Sequence, residues 1–388
     1  MIYFDNSATT RICEEALATY TEVSREHFGN PSSLHTLGLD AEHVLDDARR
    51  EVRRALGASS GTVVFTSGGS EANNLAIFGR AYAKERYLRS GKILTTAGEH
   101  ASVSEPLCAL ATAGFRVVEI STKGGVLDME QLRREMTPDV ILVTMMLVNN
   151  ETGALYDLSS VAALMHEQSP EAVLHADATQ AFMKVPFTAA SIGADMISVS
   201  SHKIEGPKGV GALYVSDGIV KKRGLTARIL GGGQEGGLRS GTENVPAVAA
   251  FATACRIGFS KRTERIRYMQ SLREQLVEGI KGTPSLKEVS LSCPPVHAPH
   301  ILNVTLPYIK SETMLHFLSR RGICISSGSA CSSHGQHASP ALIAFGRTQA
   351  EADCSVRISL SHRNTEEEVA QFLTALSDGL QSLSRMRR

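Results

Sequence analysis

The stretches "AVLHADATQ" (residues 172–180) and "DMISVSSHKIEGPKGVGALYV" (residues 195–215) decide the architecture. "AVLHAD", "DMISVS" and "GVGALYV" are short and almost continuously apolar, the pattern of strands buried on both faces of a sheet. Upstream, "TVVFTS", "KILTT", "RVVEI" and "VILVTMMLV" read the same way, with helix-like stretches such as 71–89 and 158–168 between them. Strands alternating with helices predict an α/β fold, a mostly parallel sheet sandwiched by helices. Ligands of such sheets sit at the carboxyl ends of the strands.

Polar groups collect at those ends. Asp177 and Gln180 follow one strand; Ser200, His202 and Lys203 follow another. "FTSGGSEANN" turns from a strand through Gly68 and Gly69 into a helix starting near Ser70. His100 follows "KILTT" within "TAGEHAS", and Asn150 follows "VILVTMMLV". Each segment alone has a plainer reading: a solvated lysine, an aspartate helix cap, a tight glycine turn. Together they meet the demands of one ligand, pyridoxal 5′-phosphate. It needs a lysine to hold its aldehyde as a Schiff base and an acid opposite its pyridine nitrogen; Lys203 and Asp177 supply these. Its phosphate wants N–H groups at a helix N-terminus plus hydroxyls, which Gly69, Ser70, Ser200 and His202 offer. A flat partner for the ring that also moves protons is available in His100.

"FDNSATT", "FGNPSS", "TSGGSEANN", "VNNETG", "HADATQA", "SSHKIEGPKGVGALYV", "RSGTEN" and "SSGSAC" together resemble the cysteine desulfurases, members of the class V aminotransferase group of fold-type I pyridoxal-phosphate enzymes. The likeness spans nearly the whole chain. It implies conversion of L-cysteine to L-alanine, with sulfur passing to an enzyme cysteine persulfide and on to an acceptor protein. It implies Lys203 as the Schiff-base lysine, Asp177 as the pyridinium partner, Gln180 on the ring hydroxyl, His100 on the ring face and Asn150 beside it. It also implies a homodimer in which Thr242 of "RSGTEN" reaches the other subunit's phosphate. Cys331 of "SSGSACSSHG" matches the family's nucleophile, and Arg357 of "SVRISL" its carboxylate-binding arginine, with Asn30 of "FGNPSS" assisting. The residues themselves fit these roles. A thiol among Ser, Gly and Ala lies on what reads as a mobile loop, suited to a sulfur that is taken and then handed on. A carboxylate calls for an arginine fork, and strand alternation turns Arg357 away from its apolar neighbours Val356 and Ile358.

There are departures. Ser70 stands where many relatives carry threonine, and "SLSHRN" replaces the more usual Ser-Leu-Gly-Arg run. The end at Arg388, without the C-terminal tail of housekeeping members, leads us to expect an acceptor other than an iron–sulfur scaffold. Two alternatives stand beside the desulfurase: a selenocysteine lyase, which has a similar "ACSSHGQHASPALIAFG" region, and an inactive scaffold of the same fold, against which the intact Lys203, Asp177, His100, Cys331 and Arg357 argue. Cys331, His334 and His337, with His297 and His300 elsewhere, suggest zinc ligands, but a closed site needs a fourth ligand and would immobilise the loop. No metal is expected.

The remaining sequence bounds the setting. Forty basic residues balance forty acidic ones, and no charge run suggests nucleic acid or an anionic membrane. No apolar run reaches the roughly 18 residues of a membrane span, and "MIYFDNSATT" lacks the features of a signal peptide. Seven scattered cysteines without a CxxC pair fit a reduced, cytoplasmic protein. Cys324 and Cys354, in strand-like apolar contexts, read as core. After about residue 255 a long amphipathic helix (Ile266, Met269, Leu272, Leu276, Ile280) leads into a second unit. Its strands are expected near 287–292, 300–306, 323–326 and 355–360. Its last helix has the stripe Val369, Phe372, Leu373, Leu376, Leu380 and Leu383, capped by Thr365 with Glu368. The expected division is a large cofactor-binding domain, 15–255, and a small α+β domain, 1–14 with 256–388, carrying the cysteine loop and Arg357.

Overall fold

The computed structural model describes residues 1–84, 91–327 and 339–385. Cys331, His334 and His337 lie outside the described residues, and so does the expectation of a mobile cysteine loop.

After β1 (Ile2–Tyr3) come β2 (Thr62–Thr66), β3 (Lys92–Thr96), β4 (Arg116–Ile120), β5 (Val140–Met146), β6 (Val173–Asp177), β7 (Met196–Ser200) and β8 (Gly211–Val215). Among the described residues, the last seven of these form one sheet, ordered β2-β8-β7-β6-β5-β3-β4. The pairs from β4 through β7 are parallel, whereas β8 is antiparallel to both β7 and β2. The short return 201–210 explains the reversal, since a parallel neighbour needs a crossover of a dozen or more residues. Every residue of β3, β5, β6, β7 and β8 is buried. Helices cover both faces, so no polar alternation survives in these strands. Strand order reverses between β3 and β5, which opens a crevice outside their carboxyl ends.

A second apolar core forms around β9 (Ser290–Ser292), β10 (Ile301–Thr305) and β12 (Ser355–Ser359), an antiparallel sheet ordered β12-β10-β9. The helices Arg262–Gly282 and Glu366–Arg385 pack on it through Leu272, Leu276, Ile280, Val369, Phe372, Leu376 and Leu380. The last helix begins with a reciprocal cap: the Thr365 N–H donates to Glu368 and the Glu368 N–H to Thr365 Oγ1, both at 3.2 Å. β1 pairs in parallel with β11 (Ile323–Cys324), which brings the chain start into this core. Phe4 meets Phe372 edge-on with centroids 5.6 Å apart.

Cys324 and Cys354 are half-buried rather than core. β11 is only two residues long, and Cys354 caps the end of the helix Gln349–Asp353, so neither is enclosed on both sides. No described helix is long and apolar enough to cross a membrane.

One close approach sets the mouth of the crevice. A Cβ on Gly211 of β8 would lie 2.7 Å from the backbone of Gly68, in the turn leading into the helix Gly69–Ala81. Neither backbone can retreat without moving a strand. Gly211→Ala should therefore cost about 1–3 kcal/mol of stability, the usual range for overpacking, in chemical denaturation; an unchanged midpoint would show that the turn yields.

Candidate active site

A cavity of about 210 Å³ lies at the carboxyl ends of the central strands. Its lining includes Gly69, Ser70, His100, Asn150, Asp177, Gln180, Ser200, His202, Lys203 and Arg357, all singled out in the sequence. Ser7, Ala8, Ser102, Met146, Val148 and Thr179, which were not, complete it. Asn30 and Thr242 are exposed and do not line it within one chain.

The floor is built around Asp177, the last residue of β6. Its carboxylate accepts from Asn73 Nδ2 (2.8 Å) and from the Thr179 N–H (2.9 Å), which fixes its direction. Asn73 comes from the helix Gly69–Ala81, and its amide also donates to Ser102 Oγ (2.8 Å). The Ser102 N–H in turn donates to His100 Nδ1 (3.1 Å), the cap of the helix Ala101–Thr112. Because Nδ1 accepts a backbone N–H, the neutral ring carries its proton on Nε2. Burial holds His100 below its ordinary value; Lys203 and Arg357 push the same way and Asp177 opposes.

Lys203 reaches the cavity from the loop after β7. Its Nζ donates to the carbonyls of Ser7 (2.6 Å) and Ala8 (2.8 Å), and Gln180 Nε2 also donates to Ser7 O (2.9 Å). His202 Nδ1 lies 3.1 Å from Thr9 Oγ1. Burial, then the charges of Lys203, Lys208 and Lys184, lower His202 to about 4.

Arg357 enters from β12, only 2% exposed. Its guanidinium donates to Asn150 O (2.9 Å) and to Asp5 Oδ1 (3.1 Å), and Nε has no partner among the described residues. Its backbone exchanges two hydrogen bonds with Ser326, at 2.7 and 3.2 Å. Beyond the undescribed segment that holds Cys331, Ser339 Oγ donates to Glu151 Oε2 (2.5 Å), next to Asn150. One anchor of that segment, Ser326, is therefore bonded to a cavity-lining residue, and the other, Ser339, to the neighbour of one.

The residues present fit a phosphorylated pyridoxal. A Cβ on Gly69 would approach Thr179 Oγ1 to 3.0 Å, so a side chain there would crowd a hydroxyl that lines the cavity. Ser7 Oγ, Thr179 Oγ1 and Gln180 Oε1 are buried without a partner among the described residues, and buried polar atoms are rarely left so. Among the described residues there is no cluster of metal-ligating side chains; the two nitrogens of His300 are buried and unpartnered.

The sequence pattern of the "Aminotransferase class-V" family matches residues 2–372. A Lactobacillus delbrueckii subsp. bulgaricus protein described as "NifS/IcsS protein homolog" is 39% identical over 394 residues, covering 100% of this chain and 99% of its own. "Cysteine desulfurase IscS 1" of Archaeoglobus fulgidus is 36% identical over 389 residues, covering 100% of this chain and 98% of its own. A solved structure described as "NIFS-LIKE PROTEIN" matches with a TM-score of 0.90 at 34% identity, over 98% of this chain and 99% of that one.

Glu99, beside His100, ties the strand ends together where the order reverses. Its fully buried carboxyl accepts from Thr96 Oγ1 (2.6 Å) and from the Met146 N–H (2.9 and 3.1 Å). Burial raises it from 4.5 to about 8; its two donors oppose and Asp177 adds to the rise. A carboxyl raised in the folded state contributes fully below its unfolded value and destabilises progressively as pH climbs through the folded one. Glu99→Gln should therefore gain stability over the parent by roughly 1.4 kcal/mol per pH unit between those limits, and the gap should level off above about pH 8. Denaturation across that range tests it; a gap independent of pH would mean Glu99 is ionised.

Proposed function

This chain belongs to the class-V aminotransferase family, and from that premise we propose that it is a pyridoxal-phosphate-dependent cysteine desulfurase. It takes sulfur from L-cysteine and leaves L-alanine. The observation that carries this reading is the convergence on one cavity of an amine, a fixed carboxylate and a buried guanidinium whose backbone pairs with Ser326, just before the Cys331 segment.

Pyridoxal 5′-phosphate, when bound, supplies an electron sink that loosens the bonds at an amino acid's Cα. In this reading Lys203 would hold its aldehyde carbon, and the Lys203 amine would serve as the base for the substrate's Cα proton. Asp177, oriented by Asn73 and Thr179, keeps the pyridine nitrogen protonated. Gln180 faces the ring hydroxyl, His100 covers the ring face and Asn150 lies beside it. Gly69 and Ser70, with Ser200 and His202, hold the phosphate, and Thr242 joins them from a second subunit. Arg357, with Asn30, binds the substrate carboxylate.

The thiolate of Cys331 attacks the substrate sulfur. An S–S bond forms, the C–S bond breaks, and its electron pair stays on the carbon fragment, which takes up one proton at Cβ and regains the one removed at Cα to become alanine. The persulfide then passes to a thiol acceptor protein. A cysteine held by segment ends beside the cavity suits both steps.

The assembly we propose is a homodimer. Leu34 and Leu230, 93% and 82% exposed, flank adjoining loops around Pro31 and Gly233, where a second subunit would cover them. The large domain is 15–255 and the small one 1–14 with 256–388; the second core is built from the latter ranges alone, while Cys13, Ala298 and Ile301 pack into the core of the large sheet. The described cysteines are free thiols, in keeping with a reducing, cytoplasmic setting.

Two outcomes test this. Cys331→Ala should keep the yellow cofactor yet release neither alanine nor sulfide from cysteine, while the parent gains one sulfur on the Cys331 peptide by mass spectrometry. Normal turnover by the variant would contradict the mechanism; a loss confined to cysteine, with selenocysteine still cleaved, would favour the lyase. Mixing Lys203→Ala with Thr242→Ala subunits should regenerate one complete site per mixed dimer and restore activity that neither variant shows alone. A fully active monomer in sedimentation would rule out the shared site.

A further inference from the structure

Ser102, the last residue of "TAGEHAS", lines the main cavity and meets His100 twice. Its N–H donates to His100 Nδ1 at 3.1 Å, and its hydroxyl oxygen lies 2.9 Å from the same nitrogen. The first contact caps the helix Ala101–Thr112 by satisfying one of its open N–H groups. That cap needs no hydroxyl, since the N–H belongs to the backbone. The hydroxyl is the feature that calls for a reason.

Its direction is set from the other side. Asn73 Nδ2 donates to Asp177 Oδ2 and to Ser102 Oγ, both at 2.8 Å. A carboxylate can only accept, so the nitrogen end of the amide faces Asp177, and its two hydrogens serve the two contacts. Ser102 Oγ accepts one of them, which leaves its own proton for His100 Nδ1. Nδ1 then receives both the hydroxyl and the N–H of Ser102, and the ring proton lies on Nε2. A proton arriving at Nδ1 would face the Ser102 N–H and displace the hydroxyl's donation. The first turn of a helix also disfavours a cation. Burial, with Lys203 and Arg357, pushes His100 the same way and Asp177 opposes. Glu99, its neighbour in the chain, is turned to Thr96 and Met146.

We propose that Ser102 is a positioning residue for His100: its hydroxyl, aimed by Asn73, holds the ring neutral with the proton on Nε2, so that His100 serves the cavity as a hydrogen-bond donor and not as a base. This rests on the reading of the cavity as the cofactor site. In that reading the Lys203 amine takes the Cα proton, and a ring whose Nε2 carries a proton has no lone pair there to take it instead.

The test is nitrogen and carbon NMR of the full-length, cofactor-loaded protein with isotope-labelled histidine, the His100 signals being those lost in His100→Gln. The parent is compared with Ser102→Ala, which removes the hydroxyl and keeps the N–H, and Ser102→Thr, which keeps both. The neutral ring of the parent and of the threonine variant should show a bare Nδ1 and a protonated Nε2. In the alanine variant the neutral ring loses one donor, so the His100 titration midpoint should rise by about half to one pH unit. If that variant fails to fold, Ser102→Cys, whose thiol is a weak donor, serves the same comparison. His100→Gln, with an amide N–H and no basic nitrogen, should keep kcat roughly tenfold above that of His100→Ala. A proton on Nδ1 in the parent, an unchanged midpoint in the alanine variant, equal shifts in the alanine and threonine variants, or equal losses in the two His100 variants would overturn the proposal. Failure of the underlying reading looks different: the protein would take up no pyridoxal 5′-phosphate and stay colourless, whatever the histidine signals show.

Discussion

The hydrogen bonds from Lys203 to the carbonyls of Ser7 and Ala8 are the constraint on which the site depends. The segment "FDNSATT" carries no helix and little strand, yet it ties both units of the molecule to one point. Asp5 pairs with Arg357, Ser7 N–H donates to Ser359 Oγ, and Thr10 binds His202 O through both its N–H (2.9 Å) and its hydroxyl (2.8 Å). Gln180 meets the same Ser7 carbonyl. The lysine loop of the large sheet and the arginine strand of the second sheet are therefore registered through one strap, and moving the strap would displace an amine and a guanidinium together.

The parallel sheet supplies the remainder. Its order reverses between β3 and β5, so the ends of β3, β5, β6 and β7 face a common crevice and deliver His100, Asn150, Asp177 and the Lys203 loop to it. The arginine is the exception, brought in from the second core. Burying a guanidinium costs several kcal/mol unless paired and hydrogen-bonded; here Asp5 and Asn150 O supply part of that, and Nε has no described partner. A substrate carboxylate would complete the set, which is a physical reason for an arginine between Val356 and Ile358 in a fully buried strand.

Much of this was legible in the sequence, because continuous apolar runs mark buried strands and the motifs fall directly after them. The direction of β8 is carried by the short 201–210 return and not by its apolar run, which has no polarity. Ser7 and Ala8 of "FDNSATT" carry no such signal, because they act through carbonyl oxygens that every residue has. Asn73 and Glu99 carry no signal for a related reason: they touch the site through Asp177 and Met146 rather than facing a ligand. Cys324 and Cys354 show the opposite failure, where apolar neighbours suggested a burial that a two-residue strand and a helix end do not provide.

Two amines border the space behind the proposed cofactor lysine, Lys203 and Lys184, and Lys208 follows in the same loop. The most direct measurement is to reduce the yellow holoprotein with borohydride and map the cofactor-bearing peptide by mass spectrometry. The account predicts a single modified residue, Lys203. Modification of Lys184 or Lys208 in its place would contradict it.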